Sequence, residues 1–215
     1  IEHMEDDVWV DYFGRSCLEF DGVDEYVSMN TDSLSHTLSG DLTVSCWIWF
    51  NRIGSSDRFF DLATGTTEGL QIAVDPDGGV RIDNAGGVSE TIHSVSKNLN
   101  GAWHHVAAVR SGSTVYLYVD GVQEAGGFTT VFSFDNFYVG ARKAGSMNFL
   151  DGRLDDIRIY DYALSPSEIQ DFLSPRIQFQ SGNSGNPEVI AATDIPVILT
   201  NPDPAVSYSV NYAIS

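Results

Sequence analysis

Short apolar segments recur along the chain, and turns rich in glycine, aspartate and asparagine separate them. Residues 43–50 (TVSCWIWF) are apolar at odd and even positions alike, which is typical of a central strand covered on both faces. Residues 103–110 and 114–119 flank Ser111-Gly112-Ser113 and are predicted to form a hairpin. Many short strands with a single helix signal predict an all-β protein, an antiparallel two-sheet β-sandwich.

The single helix signal lies at the end of residues 152–169 (GRLDDIRIYDYALSPSEI), where a strand is followed by a turn. Ser165 is a favourable N-cap, Pro166 suits the first helical position, and Glu168 completes a capping box. We therefore expect one short helix near residues 166–173.

Composition divides the chain into three parts. Residues 1–14 are predicted to be a lead-in whose first four residues resemble a remnant of an expression vector. Residues 15–174 form the predicted sandwich, and residues 175–215 form a separate segment with few charges. The last segment contains three largely apolar stretches, at residues 177–179, 192–199 and 208–214. Three strands are half a sandwich and cannot bury an inner face alone, so we expect this partial segment to dock on the first domain, to pair with another chain's copy or to be loosely ordered.

The chain is strongly acidic, with 30 acidic and 11 basic residues and a formal charge of -19. This charge disfavours nucleic acids and anionic membranes as partners, because both attract clustered lysine and arginine. It favours divalent cations, a salty medium or simply a solubilising surface. No stretch approaches the ~20 apolar residues of a transmembrane helix, so membrane insertion is not expected. We expect Cys17 and Cys46 to be buried and reduced rather than joined in a disulfide.

Four motifs in a fixed order point to a known family. Residues 18–27 (LEFDGVDEYV), 103–107 (WHHVA), 116–122 (YLYVDGV) and the closing residues 152–169 resemble the laminin G-like domain of the concanavalin A-like lectin and glucanase superfamily. The resemblance covers about residues 15–173 and implies a jelly roll of two facing sheets. This family includes binders, adhesins and enzymes, so fold alone does not fix an activity. The last segment, residues 176–215, resembles the first three strands of a Calx-beta domain.

The resemblance implies a Ca²⁺ ion between the opening turn and the closing strand. Its ligands would be Asp21, Asp24 and Asp155 together with backbone carbonyl groups, and calcium prefers such hard oxygen ligands. The alternative is that Asp21 makes an Asx-turn while Asp155 accepts a backbone hydrogen bond. Residues 75–79 (DPDGG) superficially resemble a calcium loop, but they lack the glutamate at position twelve and are predicted to be a turn.

Glycan recognition requires aromatic rings and polar side chains on converging loops. Four polar, glycine-rich loops are candidates, at residues 51–58, 84–90, 126–132 and 142–149. Within them, the predicted ligand-binding residues are Phe128, Arg142, Asn148 and Phe149. The two phenylalanines have an alternative role, which is to close the ends of the core.

Catalysis is less well supported by the residues. His104 and His105 are adjacent in a predicted strand, point to opposite faces and are therefore expected to have framework roles, with Trp103 in the core. Laminarinase-type relatives carry E-x-D-x-x-E, and the nearest approach, beginning at Glu19, lacks the final glutamate and turns at Asp21-Gly22.

The sequence thus predicts a calcium-dependent carbohydrate-binding, lectin-like module of a large secreted or cell-surface adhesin, and not an enzyme. The predicted partners are a glycan or polysaccharide and neighbouring domains of the same parent chain. Two other interpretations stay open: a structural or protein-binding laminin G-like module, and a glycoside hydrolase.

Overall fold

The structure is a computed structural model that describes residues 9–12, 15–30, 40–51, 53, 56–64, 67–84, 90–129, 134, 136–142, 147–173, 176–179 and 197–200. The chain divides into two compact units, residues 1–170 and residues 171–215. Fifteen strands and one helix account for nearly all the regular structure in the described ranges, which confirms the predicted all-β class.

The first unit is a sandwich of two antiparallel sheets. The seven-stranded sheet has the order β1 (Trp9–Tyr12), β2 (Arg15–Asp21), β13 (Asp151–Tyr160), β4 (Leu42–Phe50), β9 (His104–Ser111), β10 (Thr114–Val119) and β11 (Val122–Thr129). The six-stranded sheet has the order β3 (Val27–Asn30), β12 (Asn136–Val139), β5 (Arg58–Thr64), β6 (Thr67–Val74), β7 (Val80–Asn84) and β8 (Glu90–His93). The predicted lead-in therefore contributes an edge strand, β1.

The core lies between the two sheets because alternate residues of each strand point inward. In β4 the inward residues Leu42, Val44, Cys46, Ile48 and Phe50 all belong to the buried apolar cluster. The outward residues of the same strand are also partly or fully covered, as the sequence of residues 43–50 predicts.

The segment that follows β13 covers part of the outer face of the seven-stranded sheet. The hydroxyl of Thr43 donates to the carbonyl oxygen of Tyr162 (2.9 Å) and accepts from the backbone N–H of Leu164 (2.9 Å). Helix α1 (Pro166–Asp171) then begins at the predicted capping box, in which the N–H groups of Ser165 and Glu168 donate to each other's side chains. One outer face is thus partly closed by the chain itself.

Two predictions about side chains have different outcomes. Cys17 and Cys46 are buried and are not joined in a disulfide, as expected, and they lie on opposite faces of the seven-stranded sheet. Trp103 is only half-buried and lies just before β9, so its prediction as a core residue is wrong. Other, fully buried residues of β4 and β9 form this part of the core.

In the second unit, β14 (Arg176–Phe179) pairs with β15 (Val197–Thr200) as an antiparallel two-stranded sheet. These strands overlap two of the three predicted segments, residues 177–179 and 192–199; the third, residues 208–214, lies outside the described residues. In the described part of the chain, no helix has the length and apolar character needed to cross a bilayer.

Candidate functional site

A continuous row of polar side chains crosses the outer face of the six-stranded sheet. Strand pairing places one residue of each strand in register, and in each strand an apolar neighbour of that residue belongs to the core or packs against it. We call this set the polar row: Ser28, Tyr138, Asp61, Gln71, Asp83 and Thr91. With strands about 4.8 Å apart, the polar row is about 24 Å long.

The centre of the polar row is a buried hydrogen-bonded network. Asp61 and Gln71 are 0% and 1% exposed. Arg58, which begins β5 and lies next to the polar row, is 6% exposed. The Nε of Arg58 donates to the Oε1 of Gln71 (3.1 Å), and the Nε2 of Gln71 donates to the Oδ2 of Asp61 (3.0 Å). Because a buried charge is costly without partners, this network needs each of its members.

The carboxylate of Asp83 contacts two guanidinium groups. The Nε of Arg81 lies 3.1 Å and 3.0 Å from its two carboxylate oxygens, and the Nη2 of Arg58 lies 3.3 Å from Oδ2. The exposed hydroxyl of Thr91 also donates to Asp83 (2.9 Å). Burial lowers the pKa of Arg58, Asp83 opposes that shift, and the positive charges of Arg81 and Arg142 add to it.

A second charged group lies at the end of β6, in the turn of residues 75–79. Asp75 is 5% exposed, and its Oδ2 lies 2.8 Å from the Nδ1 of His93 and 3.3 Å from the Nζ of Lys97. The N–H of Gly79 donates to the side chain of Asp77 (3.2 Å), which is an Asx-type contact. Residues 75–79 therefore form a hydrogen-bonded turn, as predicted.

Two of the predicted glycan-binding residues lie beside this network. The N–H of Arg58 donates to the carbonyl oxygen of Asn148 (3.0 Å), whose backbone has a positive φ of 56° that asparagine tolerates. The half-buried Arg142 is close enough for its charge to lower the pKa of Arg58. The loops of residues 51–58 and 142–149 therefore meet at the same end of the six-stranded sheet.

The other predicted residues are placed less favourably. Phe149 is half-buried next to the core residue Leu150, and Phe128 belongs to β11 in the other sheet, where its side chain lies outside the described part. The loop of residues 84–90 leaves from the opposite end of β7, because Asn84 pairs with Leu70 rather than with the β6 residues beside Arg58. Among the described residues of the candidate loops, Arg58 and Asn148 lie together, whereas Asn84 lies at the opposite end of the sheet.

Two of the predicted calcium ligands, Asp21 and Asp155, are not brought together, and the third, Asp24, is exposed in the turn that follows β2. Asp21 pairs with Asp151 across β2 and β13, so Asp155 lies four residues further along, roughly 13 Å away. Asp21 Oδ1 instead accepts the N–H of Val23 (2.8 Å), and Asp155 Oδ1 accepts the N–H of Asp156 (2.7 Å). Among the described residues, no group of three or more acidic, His or Cys side chains is arranged to hold a metal. The predicted set does not fit a calcium ion in this arrangement.

Glu19 is engaged in an ion pair on the outer face of the seven-stranded sheet. Its Oε1 accepts from the Nε (3.0 Å) and Nη2 (2.8 Å) of Arg153, whose guanidinium lies 4.7 Å from the centre of the Trp49 ring. Such an arrangement favours a structural role for the carboxylate over nucleophilic attack.

The adjacent histidines share one carboxylate at the turn after β10. The Nδ1 of His104 lies 2.8 Å from Asp120 Oδ2, and the backbone N–H of His105 donates to Asp120 Oδ1 (2.9 Å). Strand pairing puts His104 opposite Ile48 and His105 opposite Trp47, hence on opposite faces, as predicted. Burial lowers the pKa of His105 to about 4, although Asp120 opposes this shift.

Comparison with protein-family models identifies the fold family. Residues 21–170 match the model of laminin G-like domains described as the concanavalin A-like lectin/glucanases superfamily. The chain belongs to this superfamily. The match begins at the last residue of β2 and ends within helix α1. No curated protein sequence matched the chain.

Solved structures with a similar fold include proteins in complex with sugars. Domain 4 of an extracellular arabinanase from Geobacillus stearothermophilus, in complex with arabinotriose, has a TM-score of 0.61 at 20% identity and covers 76% of this chain and 79% of its own. The carbohydrate-binding module of a Ruminococcus gnavus sialidase, bound to α2,3-sialyllactose, has a TM-score of 0.55 at 14% sequence identity. The match covers 72% of this chain and 96% of the module. A heptameric pentraxin from Limulus polyphemus has a TM-score of 0.57 at 17% sequence identity, and the match covers 86% of this chain and 91% of the pentraxin chain. At these identities the likeness concerns the fold.

The sequence gives a partial signal for the polar row that the motif analysis misses. Asp61 and Gln71 each interrupt a largely apolar run at an outward position, and Asp83 follows the inward Ile82 in β7. A polar residue at such a position is ordinary in one strand. The signal lies in its recurrence in every strand of one sheet, which becomes visible only when the register is known.

Proposed function

We propose that this protein is a carbohydrate-binding module that binds a glycan at the polar row and its adjoining loop end. The observation that carries this proposal is the register of six polar side chains across the outer face of the six-stranded sheet. Residues 162–164 cover part of the outer face of the other sheet. Sugar hydroxyls both donate and accept hydrogen bonds, and the amide, hydroxyl and carboxylate groups of the polar row do the same. Family membership and the sugar-bound relatives support this interpretation.

The binding mechanism would depend on a rigid floor and an accessible rim. Arg58, Gln71 and Asp61 hold one another below the surface, so little conformational entropy is lost there on binding. Thr91 is exposed, and Tyr138 and Arg142 are half-buried, so these side chains are accessible to a ligand. The ring of Tyr138 provides the apolar surface on which a sugar face can stack.

The experiment is a glycan array followed by calorimetric titration of the best ligand. Tyr138→Ala should weaken binding up to about tenfold, because one stacked ring contributes about 0.5–1.5 kcal/mol. Tyr160→Ala is the matched control, since Tyr160 is also half-buried but lies on the outer face of the other sheet. Thermal melts verify that both variants fold. Absence of any bound glycan, or an equal loss in both variants, would refute the proposal.

We further propose that the module acts without catalysis, because the carboxylate of Glu19 is paired with Arg153. A reducing-sugar assay on the bound glycan, with Glu19→Gln alongside, tests this. Product formed by the wild-type protein and abolished in the variant would establish a hydrolase instead.

The parent protein and its location are part of the same proposal. A secreted or cell-surface adhesin, in which residues 176–215 begin a Calx-beta-like domain, suits a module that binds weakly and gains strength from repeated copies. The extracellular arabinanase is a precedent for this setting. Calcium binding is a separate proposal that rests on the family resemblance alone, and glycan binding at the polar row does not require it.

A further inference from the structure

The part of the six-stranded sheet around Arg58 carries positive and negative side chains in nearly equal number. Its described basic residues are Arg58, Arg81, Lys97 and Arg142. Its described acidic residues are Asp57, Asp61, Asp75, Asp77 and Asp83. The carboxylates thus outnumber the arginine and lysine cations by one.

Three of these cations are already held by the aspartates. The Nε of Arg81 lies 3.0 Å from Asp83 Oδ2, and the Nη2 of Arg58 lies 3.3 Å from the same oxygen. The Nζ of Lys97 lies 2.9 Å from Asp77 Oδ2. The protein therefore supplies the anionic partners of these side chains itself.

Arg142, the fourth cation, is engaged with its own loop. Its Nη1 donates to the Sδ of Met147 (3.5 Å), and its backbone N–H donates to the carbonyl oxygen of the same residue (3.0 Å). A carboxylate brought by a ligand would have to compete with aspartates that are already in place. It would also lose its own hydration, which is costly for an ionised group that gains no new partner.

The accessible groups of the polar row are better suited to hydroxyl groups. The side chain of Asp83 is 18% exposed, and an ionised carboxylate only accepts hydrogen bonds. The hydroxyl of the exposed Thr91 donates its proton to Asp83 (2.9 Å), so its oxygen can serve a ligand as an acceptor. A sugar hydroxyl can donate to both groups, whereas a ligand carboxylate has no proton to donate.

We propose that the glycan bound at the polar row is uncharged, and that its hydroxyl groups donate to Asp83 and Thr91. This inference rests on the proposed glycan-binding function and specifies its ligand class. The formal charge of -19 acts in the same direction, because it repels anions at long range where salt does not screen it.

The test compares neutral and acidic sugars. The glycans bound on the array should be neutral. Calorimetry then compares lactose with α2,3-sialyllactose, and the methyl ester of trigalacturonic acid with the free acid. In a pair that binds, the acid should bind about tenfold or more weakly, as expected for a charged group that is desolvated without a donor. Binding of the neutral sugar should change less than about twofold between about 0.05 and 0.5 M NaCl, because it carries no charge to be screened.

Asp83→Asn removes the carboxylate that Arg58 and Arg81 share, so it should raise the affinity for the acid relative to the neutral sugar about tenfold or more. Asp156→Asn is the matched control, because Asp156 pairs with an arginine two residues away in the same manner but belongs to the other sheet. It should leave this ratio of affinities unchanged, and thermal melts verify that both variants fold.

Three results would overturn the inference and leave the glycan site in place. These are an acid that binds as tightly as its neutral counterpart, neutral binding that weakens strongly with salt, and an unchanged ratio in folded Asp83→Asn. The first two need only the wild-type protein, so they decide the question even if Asp83→Asn does not fold. Absence of any bound glycan overturns both this inference and the proposed function.

Discussion

Replacement of Arg58 by methionine tests whether the buried network supports the site. The Arg58 side chain is 7% exposed and makes three polar contacts, with Gln71, with the carbonyl oxygen of Ser56 (2.8 Å) and with Asp83. Methionine fills most of the same volume but donates to none of them. Asp83 keeps Arg81 as a partner, whereas the Gln71 and Ser56 oxygens lose a donor inside the protein.

The expected cost follows from these contacts. Each buried acceptor left without its donor costs about 1–3 kcal/mol, and breaking a buried ion pair costs about 3–5 kcal/mol. These effects overlap, so we expect Arg58→Met to lower the free energy of unfolding by about 3–5 kcal/mol. In a sandwich of this size, that corresponds to a fall in Tm of roughly 6–20 °C. Urea denaturation followed by tryptophan fluorescence measures the change directly.

Arg153→Met provides the comparison. Its ion pair with Glu19 is partly exposed, at 22% and 38% for the two side chains, so solvent screening limits the loss to about 1 kcal/mol. A combined Arg58→Met and Gln71→Leu variant should cost more still, because the buried Asp61 Oδ2 then also loses the donor that Gln71 Nε2 provides. If Arg58→Met costs no more than Arg153→Met, Arg58 is not the buried centre of a network and the reasoning fails.

Three further predictions concern other parts of the sandwich. Because burial lowers the pKa of His105 to about 4 from an ordinary 6.5, the unfolded state binds more protons between these values. The wild-type protein should therefore lose roughly 3 kcal/mol as pH falls from about 7 to 4, beyond the loss measured for His105→Gln. Gly152→Ala should cost about 2–3 kcal/mol in urea titrations, since its Cβ would lie 2.3 Å from the carbonyl oxygen of Trp49, whereas Gly40→Ala, with nothing within 4 Å, should be neutral. If calcium binds the sandwich, a chelator should lower Tm by several degrees. Because the β2–β13 register separates Asp155 from Asp21, Asp155→Ala should leave this shift in Tm intact. An unchanged Tm of the wild-type protein with chelator would remove calcium from the proposal.

The fold was largely predictable because its signals are local. The capping box at Ser165 and Glu168 and the turn at residues 75–79 depend on residues close in sequence, and both occur in the structure. Residues 43–50 were predictable as a covered strand because apolar residues occupy both of its faces. Trp103 was mispredicted, because its size suggested the core while its position before β9 leaves it half-buried.

The candidate site was only partly predictable because it depends on register. Arg142 and Asn148 were identified from loop composition, and the structure places both beside Arg58. Asp61 and Gln71 were missed, since their meeting requires the pairing of β5 with β6, which no local pattern specifies. The same limit applies to Asp155, which belongs to the right strand for a site at Asp21 but lies four positions away from it.

The placement of β13 between β2 and β4 has a consequence for how this protein is made. On the ribosome, β2 and β4 emerge early, and the strand that joins them is synthesised only with residues 151–160. Until then each of the two strands presents an unpaired edge that can recruit a neighbouring nascent chain. Truncated products that stop before residue 151 should therefore aggregate even though they contain most of the core, and full-length synthesis closes the sheet in its final step.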